Sequence, residues 1–298
     1  MNEFITLENA FNTIADFPVL MQRTVQDILY KSYNSTPVIY PEIIVTKTSD
    51  GTYERYAGTY GDLSLAPMHK LEEYHDSSMK EGWIDIFNYK YGRSFSFAIE
   101  DIEDDNKGLF KDIPEKYGKE FRMSIEKAIL DTLTDTSVYT AARGNKVTTN
   151  PTFSYDGVVE AYDLFTNQIT PEGNYMNVFP DTLVLHPTQM WKVPEVFAEK
   201  RISHSGTTPT TGSFTIENPL ATKRFNILYT PYLPSKTAWY LFKAKSSLIY
   251  QKRIGLEVTA STKTSQAMLD RDAYVVKCRT RFGSKITDYR FFVSNTGS

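Results

Sequence analysis

The densest group of reactive side chains lies in the run Phe97–Gly118, FAIEDIEDDNKGLFKDIPEKYG, where Glu100, Asp101, Glu103, Asp104 and Asp105 crowd together. Carboxylates at that density can hold a divalent cation, trade protons or stand in water. A calcium loop between helices needs oxygen ligands at alternate positions, glycine at the sixth and glutamate at the twelfth. Counted from Asp101 the alternation holds at Glu103 and Asp105, but Asn106 takes the glycine position and Asp112 the glutamate position. The match fails. The acids run straight into a helix start, where each gains a few tenths to about 1 kcal/mol from the unpaired amides. A solvated, helix-end role is the favoured reading.

The remaining reactive residues are scattered. The histidines are His69, His75, His186 and His204, with no HExxH and no helical pair. His186, at a strand end before Pro187, reads as structural, and His204 falls in the small-residue stretch SHSGTTPTTGSFT, read as a loop. Cys278 is the single cysteine, which excludes an internal disulfide and a multi-cysteine zinc site. In YVVKCRTRF it alternates with polar neighbours, as a small strand residue does. Glycine motifs for dinucleotides, phosphates or a nucleophile elbow are missing. The ARGNK stretch at Ala142–Lys146 could touch phosphate, but one Arg and one Lys in a loop are commonplace. Tyr53, Tyr56 and Tyr60 could stack on bases. Without a basic groove beside them, protein–protein contact is the better reading. No catalytic, cofactor-binding or metal-ligating residue is assigned, and no enzymatic activity is expected.

Composition agrees. The net charge of −3 gives no reason to expect tight binding to a nucleic-acid backbone. The 20 tyrosines and 18 phenylalanines suit surfaces partly buried against other chains, since a tyrosine ring is apolar while its hydroxyl stays hydrogen-bonded. A chain of 298 residues is near the size at which one core divides, so two lobes are expected. MNEFITLENAF carries an early acid and no basic region, unlike a signal peptide, and no apolar run is long enough to span a bilayer. A soluble protein made inside a cell is expected.

The elements that must position these residues follow from periodicity. Phe11, Ile14, Phe17, Met21, Val25, Ile28 and Leu29 fall at helical spacing, interrupted by Pro18, which predicts two short helices or a kinked one. Pro37 to Glu100 reads as long strands, with a hairpin turn at Ser49–Gly51. A hairpin standing alone in water is marginal at best, so it is expected to lie on another subunit. Asp112, Pro114 and Glu115 predict a helix start, with Tyr117, Phe121, Ile125, Ala128, Ile129 and Leu133 on one face to about Thr136 and Gly118 as a blemish. A second helix is predicted over Gly157–Ile169, a short buried strand in DTLVLHP, and a helix in TQMWKVPEVFAEKRI. Further strands are predicted in RFNILYTPYL, AWYLFKA and SLIYQKRIGLEVTAS. A last pair is predicted around a turn at Phe282-Gly283-Ser284.

That order resembles the major capsid proteins of tailed bacteriophages, with their HK97-type α+β fold, and most of all the Mu-like major head subunits. YKYGRSFSFAIEDIEDDNKGLF is similar to the second strand of that family's extended loop entering its spine helix. DTLVLHPTQMWKVPEVFAEKRI resembles the axial-domain strand, proline and helix, NILYTPYL with AWYLFKA the paired strands, and DRDAYVVKCRTRFGSKITDY the terminal hairpin. The resemblance runs from about Pro37 to the end. It implies an N-terminal arm at 1–36, an extended β-loop at 37–100 and an acidic linker with spine helix of the peripheral domain at 101–150. An axial domain at 151–262 and C-terminal peripheral strands at 263–298 complete it. It implies pentamers and hexamers of an icosahedral shell around double-stranded DNA, in the virion and, during assembly, in the host cytoplasm. The implied partners are further copies, scaffolding and portal proteins, and packaged DNA touched non-specifically; no membrane and no cofactor are implied. Subunit contacts are expected at Tyr53, Tyr56, Tyr60, Lys70, Glu72, Glu73 and Arg93, and the acidic run is expected to serve as the hinge of the loop. No long charged helix precedes the arm, so a fused scaffolding domain is not expected. An encapsulin-like nanocompartment shell is the alternative of the same fold.

Overall fold

The computed structural model describes residues 17–61, 79–98, 100, 109–150, 152–171, 173–198, 200–204, 213–261, 270 and 272–295. In chain order its helices are α1 (Phe17–Ser35), α2 (Tyr40–Ile43), α3 (Leu109–Leu133), α4 (Tyr155–Thr166) and α5 (Val193–Val196). Its strands are β1 (Val45–Thr48), β2 (Tyr53–Gly61), β3 (Met79–Phe87), β4 (Tyr89–Ala98), β5 (Thr182–Leu185), β6 (Lys200–His204) and β7 (Ser213–Glu217), followed by β8 (Asn226–Tyr229), β9 (Trp239–Phe242), β10 (Leu248–Ala260), β11 (Ala273–Ile286) and β12 (Phe292–Asn295).

Two four-stranded sheets carry the fold. The first has the order β1-β10-β11-β4, with β1 parallel to β10 and the other pairs antiparallel. Alternation on β11 turns Tyr274, Val276, Cys278, Thr280 and Phe282 inward. There α1 supplies Val25 and Leu29, and α3 supplies Ile113, Tyr117 and Phe121. The second sheet has the order β12-β9-β5-β8. Its central strands are buried on both faces, which is why β5 reads as an unbroken apolar run. Leu183 and Leu185 meet Trp239, Leu241 and the α4 residues Val158, Ala161 and Phe165. Val184 points the other way, with Tyr240, Phe242 and Phe292, into a core shared with Ile125, Ile129 and Leu133 of α3 and with Tyr250 and Phe282 of the first sheet. The long helix is therefore the wall common to both sheets. Each fully buried Leu, Ile or Phe there is worth about 1.5–3 kcal/mol.

Several sequence expectations need correction. The described part of α1 runs unbroken from Phe17 to Ser35, and the stretch before Pro18, with Phe11 and Ile14, lies outside the described residues. Ser49–Gly51 is a corner between two sheets and not a hairpin turn, because β1 pairs with β10 while β2 pairs with β3. The Trp83–Phe97 stretch breaks at Asn88 into β3 and β4, which belong to different sheets. The helix α3 begins by Leu109, placing Pro114 inside it, and ends at Leu133. The segment after His186 is a 3-10 helix, Pro187–Lys192, running into the single turn of α5. His204 closes β6, paired with β7, and is not in a loop. Strand β11 runs straight through Gly283 with β10 as its antiparallel partner. The boundary expected at 262 falls beyond β10, although β10 belongs to the first sheet; the chain changes sheets between Phe242 and Leu248.

Gly118 is also no blemish. A Cβ there would collide with Ser32 Oγ and would stand 2.6 Å from the Leu29 carbonyl oxygen, so the bare backbone lets α1 and α3 cross at contact distance. Gly118→Ala should therefore destabilise the protein by about 1–3 kcal/mol through overpacking. Helix propensity alone would stabilise it by about 1 kcal/mol, so the sign measured in thermal or denaturant unfolding decides between the two.

Candidate assembly surface

Strands β2 and β3 pair from Tyr53 opposite Phe87 to Gly61 opposite Met79. Side-chain alternation gives this ribbon two faces. One face, with Tyr56 and Ile86, meets the first sheet. Gly283 is bare there because a Cβ would strike the Phe87 carbonyl oxygen and stand 3.0 Å from Ile86 Cγ2.

A buried polar joint fixes the base of the ribbon. The Gln251 side chain, fully buried on β10, donates from Nε2 to the Ile86 carbonyl at 3.2 Å and to Asn88 Oδ1 at 2.8 Å. Its Oε1 accepts from the Tyr56 hydroxyl at 2.9 Å. Asn88 Nδ2 donates to Ser49 Oγ at 2.8 Å and to the Gly51 carbonyl at 2.9 Å. Ser49 Oγ donates to Glu54 Oε1 at 2.8 Å, which also accepts from the Gly51 amide at 3.3 Å. These bonds tie together β10, the Ser49–Gly51 corner and both strands of the ribbon. The Ser49 hydroxyl, followed by the Gly51 amide, holds the Glu54 carboxyl below the usual glutamate range.

The other face points into solvent. Tyr53 and Phe87, 47% and 48% exposed, have ring centroids 5.4 Å apart. The next rung is a two-toothed pair in which Arg55 donates to the Asp85 carboxylate at 2.8 and 2.9 Å. The Arg55 guanidinium also sits 5.2 Å from the ring centroid of Trp83, which is 58% exposed. An exposed ion pair is screened and contributes little stability. Here it lies on the rung between the Tyr53–Phe87 pair and Trp83.

The expected contact residues divide. Tyr53 lies on the solvent face, Tyr56 on the joint, and Tyr60 on β2 opposite Lys80. Arg93 is exposed on β4, opposite Cys278. Lys70, Glu72 and Glu73 lie outside the described residues, as do Asp101–Asp105 and hence nearly all of the expected acidic hinge; Glu100 is exposed. Sequence reasoning missed Gln251, Asn88, Ser49 and Glu54, and on the outer face Arg55, Trp83, Asp85 and Phe87. Of the other candidates, His186 caps the 3-10 helix through the Thr188 amide. Arg143 donates to the carbonyls of Ser137 and Val138. Cys278 is buried, which pushes its thiol up to about 11. An open cavity of about 650 Å³ between the ribbon base and the end of α3 is lined by Phe87, Tyr89, Asp131, Asp135 and Lys285 among others. Among the described residues no three His, Cys, Asp or Glu side chains cluster as a metal site, and no helix is long and apolar enough to cross a membrane.

A family model for phage capsid proteins matches residues 86–295, well over half of the chain. One for the Mu-like prophage major head subunit gpT matches residues 20–146. No curated protein matches. Among solved structures, the capsid of cyanophage P-SCSP1u has a TM-score of 0.60 at 12% identity, covering 87% of this chain and 88% of that one. Mycobacterium phage Che8 gives 0.59 at 15%, covering 89% and 93%. A virus-like particle from Pyrococcus furiosus gives 0.57 at 12%, covering 91% and 97%. At these identities the likeness is one of fold.

Gln251→Leu keeps the bulk but strips the Tyr56 hydroxyl, the Ile86 carbonyl and Asn88 Oδ1 of their shared partner. It should cost about 1–3 kcal/mol in denaturant unfolding, the cost of leaving buried polar groups unpaired. The corner should also respond to acid. Because the folded Glu54 carboxyl titrates below its unfolded value near 4.3, its contribution is complete above that value and is lost as pH falls through the lower folded one. The Gly51 amide resonance should follow that transition, and Glu54→Gln should abolish it.

Proposed function

The chain belongs to the phage capsid protein family, as a major head subunit of α+β, HK97-type fold, and from that premise we propose how it builds its shell. Copies associate through large shared surfaces into pentamers and hexamers of an icosahedral wall around double-stranded DNA. Residues 1–36 act as the arm, α3 is the spine, the first sheet belongs to the peripheral domain and the second to the axial domain. The extended loop narrows to the β2–β3 ribbon, since β1 and β4 are strands of the first sheet. Scaffolding and portal proteins assist in the host cytoplasm, and the subunit carries out no chemical turnover. Contacts with packaged DNA are weak and non-specific: a closed wall confines the genome, so a subunit of net charge −3 needs little affinity for phosphate.

The observation that carries this reading is a ribbon of two nine-residue strands that pairs with neither four-stranded sheet and, among the described residues, adds no side chain to the hydrophobic clusters. Such a ribbon is marginal in water and gains its stability by lying on a neighbour. Both matching family models describe phage head proteins, which favours a genome shell over an encapsulin-like compartment.

Purified protein, alone or with its scaffold, should form closed shells in negative-stain electron micrographs. Replacing residues 53–87 by a Gly-Ser linker of about six residues, enough to bridge β1 to β4 across about 14 Å, should leave both sheets folded by circular dichroism yet give no closed shells. Closed shells from that variant would remove the ribbon from assembly, and a wild-type protein that stays monomeric with and without scaffold would remove the shell reading itself.

A further inference from the structure

A buried carboxylate lies apart from the ribbon and its joint. Glu126 of α3 is 6% exposed, yet among the described residues it accepts a single hydrogen bond, from the Ile39 amide at 3.3 Å. Ile39 precedes α2 and, with residues 36–38, forms the elbow between α1 and α2. A buried charge is normally paired, and Arg122 stands one helical turn away. That guanidinium is engaged elsewhere. It lies 4.8 Å from the Tyr33 ring centroid and 5.0 Å from that of Tyr40, and it donates to the Tyr33 hydroxyl at 3.1 Å. Its Nε is buried without a hydrogen-bond partner. The elbow therefore rests on an ionisable group whose charge is poorly compensated.

We infer that Glu126 is a proton-operated clasp: protonated, it holds the elbow against α3, and ionised, it loosens the elbow so that α1 and α2 can shift against that helix. Burial pushes its carboxyl above the usual glutamate range, against the opposing pull of the Ile39 amide and of Arg122. The groups round the Arg122–Glu126 turn are tyrosines: Tyr33 of α1, Tyr40 of α2, Tyr232 after β8 and Tyr250 of β10. Burial pushes the Tyr40 phenol up to about 12 and raises those of Tyr232 and Tyr250, so these three stay protonated at neutral pH. The exposed Glu120 acts on Tyr232, and Glu42 of α2 is bonded to Asn226 at 3.0 Å. A closed elbow holds the proton more tightly than an open one, in which the carboxyl is hydrated. The stabilisation of the closed form is therefore complete below the hydrated value of about 4.3 and is lost as pH rises through the higher closed value. This is the opposite sense to Glu54. Only Ile44 separates α2 from β1, so the clasp bears on the strand that leads to the ribbon. It operates within one subunit and does not depend on the shell reading.

The test compares the full wild-type chain with Glu126→Gln, which keeps an acceptor for the Ile39 amide but cannot titrate. Hydrogen exchange is followed at matched pH for the Ile39 amide and for those of Glu42 and Ile44, which bond to the carbonyls of Ile39 and Tyr40. The ratio of wild-type to variant protection should fall about three-fold or more as pH rises from about 4 to about 8, while the same ratio for amides in β5 and β9 stays constant. A ratio at the elbow that is flat or rises with pH overturns the inference. So does a fall shared equally by β5 and β9, which marks global unfolding. If the variant does not fold, the carboxyl carbon resonance of wild-type Glu126 decides. A midpoint above about 4.3, with the Ile39 amide resonance moving in step, supports the clasp; a midpoint at or below that value, or an unmoved amide, overturns it. Each outcome leaves the shell reading untouched.

Discussion

A two-stranded ribbon buries no core, so whatever sets its direction must act at its base. In this protein that task falls to one fully buried glutamine. Gln251 uses both ends of its amide, and the groups it touches sit on β2 at Tyr56 and at the end of β3, at Ile86 and Asn88. Hydrogen bonds in a site closed to water are directional in a way that apolar contact is not, and a half-satisfied network is costly. The ribbon is thereby held in one orientation by geometry, while its outer rings stay exposed among the described residues.

Everything beneath the joint serves to keep β10 rigid. It is flanked by β1 and β11, and β11 in turn is pressed onto α1 and α3. The same α3 seals the second sheet through Ile125, Ile129 and Leu133. Since that helix belongs to both cores, the two lobes share one wall, and the crossing at Gly118 brings α1 close enough to complete it.

The apolar patterns made much of this visible in sequence. The alternation along β11 and the apolar run of β5 marked strands, and of the helical stripe of α3 Ile125, Ile129 and Leu133 are buried, while Leu130, outside that stripe, is buried too. Glycine misled three times for one reason. At Gly51 and Gly283 it was read as a turn, and at Gly118 as a weak point, yet at all three a Cβ would crowd backbone atoms, those at Gly118 and Gly283 belonging to another element. Sequence shows that a side chain is missing; it does not show what occupies the space. The polar joint was hidden in the opposite way. Gln251 and Asn88 look like surface residues until the ribbon is laid over them, and nothing local announces that cover. Tyr53 and Tyr56, grouped together as contacts, are parted by the two-residue period of the strand that carries them.

One feature of the topology bears on mechanics. The ribbon is continuous with β1 at one edge of the first sheet and with β4 at the other, on opposite sides of β10 and β11. A pull on the ribbon enters through both edge strands at once and runs along their length. The ladders are then loaded in shear, where many hydrogen bonds must fail together. A tether fixed to a single edge would instead open its bonds in sequence, like a seam. A wall that has to resist tension from inside gains from being stitched in the first way.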